Sequence, residues 1–205
     1  MRNTSRNTVP TRPSLLFRMK DFGDRQAWEE FHGLYSPLLY RYATRRGLPP
    51  EDAEEIRDEC LMIIARKISA FDYDRQRGTF KGWMFRIAHG LVVDWIRRRR
   101  TAGADVEQMA RVPDPHPSPE EVWDTQWKEE HLRYCFRMVR SEVCETTWQA
   151  FNLLLFSQCS VEEVCERLSI NANQVYKAKS RILARIRRRW EDLESGPSPD
   201  VSEPC

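Results

Sequence analysis

No stretch of this sequence is long and apolar enough to cross a bilayer. Near the N-terminus the only apolar run, Leu15-Leu16-Phe17, is too short for the core of a secretory signal. We therefore expect a cytoplasmic protein with no membrane partner. Catalytic signatures are missing as well. There is no phosphate-binding glycine loop, no dinucleotide fingerprint and no Ser/His/Asp set, and the histidines His32, His89, His116 and His131 are scattered. The six cysteines form no C-x-x-C, and none stands beside a histidine at finger-like spacing. They read as small reduced hydrophobes, so neither metal nor cofactor is expected and the chain is not read as an enzyme. A large net charge is also lacking, with 33 Lys+Arg against 31 Asp+Glu and a balance of +2.

What the chain does have is charge in blocks. Positive charge gathers at Arg97-Arg98-Arg99-Arg100 and again from Lys177 to Arg189, and the segment between leans acidic. Two basic patches suggest two anionic contacts, although each would also serve as a solvated helix face. Apolar residues recur at helical spacing throughout, and no strand pattern competes with them.

The spacing of Trp28, Phe31, Tyr35, Leu38, Leu39 and Tyr42 predicts a helix over Asp24–Arg46, with a kink or break at Pro37. Gly47 stops it and Pro49-Pro50 starts the next. That second helix, about Glu51–Ala70, turns Ala53, Ile56, Cys60, Ile63 and Ile64 inward and Glu51, Glu54, Glu55, Arg57, Asp58 and Glu59 outward. A third, about Lys81–Arg100, is expected to bury Met84, Ile87, Ala88, Leu91 and Trp95. Pro113-Asp114-Pro115-His116-Pro117-Ser118-Pro119 then forbids helix, so 101–122 reads as a flexible acidic linker. Fully stretched, it would span about 70 Å at roughly 3.3–3.6 Å per residue. Further helices follow over about Trp123–Val143 and Thr147–Gln158. Ser160-Val161-Glu162-Glu163 has the form of a capping box opening a short helix, Ser169-Ile170-Asn171 makes a turn, and a last helix runs over about Ala172–Leu193. Residues 1–20 and 195–205 are expected to be disordered.

The last two helices have the helix-turn-helix pattern. Opposite Val175 and Ile182 stand Gln174, Lys177, Arg181, Arg185 and Arg188. Gln and Arg can pair with base edges, and Lys and the trailing arginines suit phosphates. The other pattern is a cluster of Phe71, Tyr73, Phe80 and Trp83 among Arg75, Arg77, Lys81 and Arg86. Rings beside positive charge suit a single strand, whose bases stack while its phosphates are neutralised. The plainer alternative is that Phe71, Phe80 and Trp83 anchor a loop to the core.

Taken in order, Trp28-Glu29-Glu30-Phe31, Tyr35-Ser36-Pro37, Glu51-Asp52-Ala53-Glu54-Glu55-Ile56, Gly78-Thr79-Phe80-Lys81-Gly82-Trp83, Arg86-Ile87-Ala88 and Asp94-Trp95-Ile96-Arg97-Arg98 resemble the bacterial sigma-70 family, in its extracytoplasmic-function group. The resemblance is specific over Trp28–Arg100 and looser over Trp127–Arg189. It implies an all-α fold of two small domains joined by the linker: a region 2-like bundle over 21–100 and a region 4-like helix-turn-helix over 123–194. It also implies two partners, core RNA polymerase and promoter DNA, the latter as duplex and as melted non-template strand. An anti-sigma protein is a further candidate partner.

On this resemblance Glu54, Glu55, Asp58, Glu59 and Met62 would meet the polymerase. Tyr73, Arg75, Arg77, Phe80, Lys81, Trp83, Arg86, His89, Gly90 and Asp94 would face the −10 element, with Arg97 and Arg98 on duplex phosphates. Asn173, Gln174, Tyr176, Lys177, Ser180, Arg181 and Arg185 would face the −35 element. The linker carboxylates Asp105, Glu107, Asp114, Glu120 and Glu121 would suit a groove built for nucleic acid. Two positions depart from the family pattern: Gly90 stands where Asn is frequent, and Asp58 where Gln is. The other readings are a helix-turn-helix regulator acting without polymerase, which leaves the acidic helix and aromatic loop unexplained, and an interaction protein for which neither basic patch matters.

Overall fold

In the computed structural model residues 13–71, 79–101 and 117–195 are described. Among them all regular structure is helical: α1 (Pro13–Arg18), α2 (Arg25–Arg45), α3 (Pro50–Ile68), α4 (Phe80–Thr101), α5 (Pro119–Glu142), α6 (Glu145–Leu155), α7 (Val161–Leu168) and α8 (Ala172–Ser195). The chain divides into two compact units. Among the described residues one is built from α1 to α4 with α5 as far as Glu130, together with Leu193–Ser195; the other runs from His131 to Asp192.

In the first unit α2 runs through Pro37 as one helix, so of the expected kink or break the break does not occur. Leu34, Tyr35, Leu38 and Leu39 are buried on both sides of the proline, and this packing holds the helix across the missing amide. Asp24 caps its start, accepting from Ala27 N at 2.9 Å, and Gly47 at φ 88° closes its end. Pro50 opens α3 at N1, where a missing N–H costs nothing. Inside lie Phe31, Tyr35 and Phe80, with ring centres 4.7–6.2 Å apart.

Two expectations about boundaries change. Residues 13–20 belong to the fold, because α1 buries Leu15, Leu16 and Met19 and Arg18 pairs with Asp24 at 2.8 Å. Nor do residues 119–122, the end of the expected linker, stay extended. Ser118 and Glu121 cap each other (2.7 and 3.2 Å) and start α5 at Pro119. The first turns of α5 then pack on the first unit, where Trp123 and Trp127 are buried. The segments 1–12, 72–78, 102–116 and 196–205 lie outside the described residues, and with them Tyr73, Arg75, Arg77, most of the expected linker and Cys205.

The second unit is held by Ala150, Val164, Val175 and Ala178, against which Leu153, Leu154, Cys165 and Ile170 pack. Ser160 and Glu163 make the expected capping box of α7. Ser169, in the left-handed region at φ 52°, turns the chain into α8.

Candidate nucleic-acid interface

Helix α4 has two faces. Phe80, Met84, Ala88 and Val92, four residues apart, form its buried stripe. Ile87, Leu91 and Trp95, expected inward, are only half-buried. Opposite, Arg86, Gly90, Val93, Arg97 and Arg98 are exposed. A Cβ added at Gly90 would meet nothing within 4 Å, so this face has an open notch at backbone level. Asp94 pairs with Arg97 at 3.0 Å, and Arg99 reaches Asp52 at 3.0 Å while lying 4.8 Å from the Trp95 ring centre.

Two candidates from the sequence are corrected. Phe80 is 0% exposed, at the centre of the aromatic core, and cannot stack on a base there. Lys81 is 5% exposed; its ammonium bonds Asp124 at 2.7 Å and lies 5.7 Å from the Trp127 ring centre. Trp83 is half-buried, leaning on Phe71 (4.7 Å) and Phe80 (5.5 Å). His89 is half-buried as well, sharing a 3.0 Å hydrogen bond with the Tyr42 hydroxyl and stacking on Phe85. Burial pushes that Tyr42 hydroxyl up to about 12, so it stays protonated.

On α3 the outward row is in place. Glu54, Glu55 and Asp58 are exposed, Glu59 is half-exposed, and Met62 offers an apolar spot at 52% exposure. Asp58 accepts two hydrogen bonds from Arg57, at 2.8 and 3.1 Å, which hold its carboxyl below the usual range. The face is thus less negative there than the carboxylates alone suggest.

On α8 the exposed row is Asn173, Tyr176, Lys177, Ser180 and Arg181. Gln174 and Arg185 are differently employed. Gln174 Oε1 accepts from Asn171 N while Asn171 Oδ1 accepts from Gln174 N, both at 2.9 Å. The glutamine's amide oxygen is therefore held by the cap, which fixes its orientation and leaves one lone pair and the amide nitrogen for a base edge. Arg185 donates to the Glu142 carbonyl at 3.0 Å, and Arg189 pairs with the Glu142 carboxylate; both tie α8 to the end of α5.

Between the start of α6 and α8 lies a cleft of about 270 Å³ lined by Cys144, Thr146, Thr147, Gln174, Lys177 and Arg181. The sequence treated Cys144 as apolar filler, but it is exposed. The Thr147 hydroxyl 3.0 Å away, then the Thr147 amide, with Arg181 a lesser influence, lower its thiol below the ordinary value. Its place as the residue before a helix start was the available signal. Among the described residues no group of His, Cys, Asp and Glu is placed to hold a metal, and no helix is long and apolar enough to cross a membrane.

Residues 32–102 match the Sigma-70 region 2 family model. The chain is similar to the ECF RNA polymerase sigma factor SigE of Mycolicibacterium smegmatis, 29% identical over 116 residues, covering 56% of this chain and 44% of that protein. It is also similar to SigW of Bacillus subtilis, 30% identical over 78 residues (38% of this chain, 40% of SigW). A third relative is RpoE of Cereibacter sphaeroides, 24% identical over 119 residues (58% of this chain, 64% of RpoE). In each case the match spans less than two thirds of the relative.

Proposed function

We propose, from the match of residues 32–102 to Sigma-70 region 2 and the likeness to three ECF sigma factors, that the chain is a sigma-70 family protein of the extracytoplasmic-function group and the dissociable specificity subunit of a bacterial RNA polymerase. It binds the core enzyme, selects promoters and helps melt them, without chemistry of its own and in the cytoplasm. The observation that carries this reading is that one small module, matched to region 2, presents an acidic row on α3 and a basic face on α4. A protein that only binds duplex DNA has no use for the first. In our reading Glu54, Glu55, Asp58, Glu59 and Met62 dock on the polymerase. Trp83, Arg86, Gly90, Arg97 and Arg98, with Tyr73, Arg75 and Arg77, meet the −10 element. Asn173, Tyr176, Lys177, Ser180 and Arg181 meet the −35 element.

Gel filtration of the purified chain with core polymerase tests the docking. A stable complex, weakened by Glu54→Lys with Asp58→Lys, is the expected result. A chain that elutes alone while still binding duplex DNA is a helix-turn-helix regulator instead.

A further inference from the structure

The first turns of α5 sit within the first unit on Trp123, Gln126, Trp127 and Glu130, all 3% exposed or less. Trp123 meets Tyr42 (5.1 Å) and Phe85 (5.7 Å), and Trp127 meets Tyr35 (5.4 Å). Charge also runs through this contact: Lys81 bonds Asp124 at 2.7 Å, and Arg41 bonds Glu130 at 2.6 Å. Lys81 lies in the first turn of α4, whose exposed face bears Arg86, Arg97 and Arg98. Its partner Asp124 has half of its side chain open to solvent. A carboxylate seated on a lysine ammonium offers the charge and the acceptor oxygens that a backbone phosphate would offer.

We propose that Pro119–Glu130 is an internal mask in which Asp124 takes the place of a strand phosphate on Lys81, so that this stretch and single-stranded DNA compete for the start of α4. The proposal rests on the assignment of α4 to the melted strand. An ion pair with one partner half open to water contributes little net stability, because the cost of burying the lysine and solvent screening at the carboxylate offset the attraction. Exchanging a carboxylate for a phosphate on Lys81 is therefore nearly even in charge terms. The apolar surface that Trp123 and Trp127 give up is offset when bases stack on the rings thus uncovered.

The test uses the full chain and a short labelled oligothymidylate, with circular dichroism confirming that each variant is folded. Asp124→Asn leaves Lys81 without its counter-charge and is expected to tighten binding about threefold, with the salt slope steeper by about 0.7, the increment for one more phosphate on a single strand. In the Lys81→Gln background the same change is expected to bring no gain. An equal gain in both backgrounds is a general charge effect and overturns the mask, as does no gain in either. Hydrogen exchange on the wild type gives a second reading: amides of 119–130 lose protection when the oligomer is added, and unchanged or greater protection rejects the proposal. If no variant binds the oligomer and no complex with core polymerase forms, the assignment of α4 fails and takes the mask with it. Wild-type binding without the Lys81-dependent gain removes the mask alone.

Discussion

Arg181 and Arg98 carry similar charge but are asked to do different work. Arg181 is exposed on α8 beside Lys177 and the Gln174 cap, where its planar fork can address a guanine edge. Arg181→Ala should relax selectivity at one −35 position by about 1–3 kcal/mol, read as binding to a panel of single-base operator variants. Arg98, exposed near the end of α4, stands in a run of arginines suited to phosphates; Arg98→Ala should weaken every sequence alike and flatten the salt dependence. The cysteines separate as sharply. Cys60 is buried, with its thiol pushed up to about 12, so it stays protonated and inert throughout the neutral range. Cys144 is exposed with its thiol lowered, so thiolate is present at a lower pH than for an ordinary cysteine. Alkylation mapped by mass spectrometry at pH 7 should mark Cys144 well before Cys60, and denaturation should remove the difference. The fates of Phe80 and Lys81 mark the limit of residue-level reading. Phe80 stands at the head of an i, i+4, i+8, i+12 stripe with Met84, Ala88 and Val92, a pattern the sequence does contain. The burial of Lys81 depends on Asp124, a partner some forty positions away that local spacing cannot supply.

At the scale of the element, legibility followed local chemistry. Helix α3 is expected over about Glu51–Ala70 and found at Pro50–Ile68, and α7 opens on its Ser160–Glu163 box, because caps and prolines act within a turn. Ser160→Ala removes one half of that box and should cost about 0.5–2 kcal/mol, seen as a lower unfolding midpoint with little change in the first unit. The start of α5 had the same kind of signal in Ser118-Pro119-Glu120-Glu121, outweighed in the sequence by the alternating prolines just before it. Helix α1, six residues long, is too short to be stable alone, and its place comes from burial of Leu15 and Leu16 and from the Arg18–Asp24 pair. The acidic row of α3 makes its own prediction. Reversing Glu54 and Asp58 to lysine should weaken the complex with core polymerase about tenfold, near 1.4 kcal/mol, and more at low salt than at high.

For the whole molecule, the all-helical class of the described residues follows from helical spacing, while the place where the two units divide does not. It falls inside α5, between Glu130 and His131, because Trp123 and Trp127 are committed to the first unit and no periodicity within α5 reveals which surface its inner face meets. A chain with two basic surfaces and a net charge of +2 has little long-range pull on DNA. Each surface is expected to bind weakly alone and to gain effective concentration when both are mounted on one polymerase. The most direct measurement of this account is transcription by core polymerase on genomic DNA with and without the purified chain, the RNA 5′ ends being mapped. Discrete start sites that appear only with the chain, and that share paired upstream elements, are the result it requires. The same scatter of starts in both reactions would contradict it.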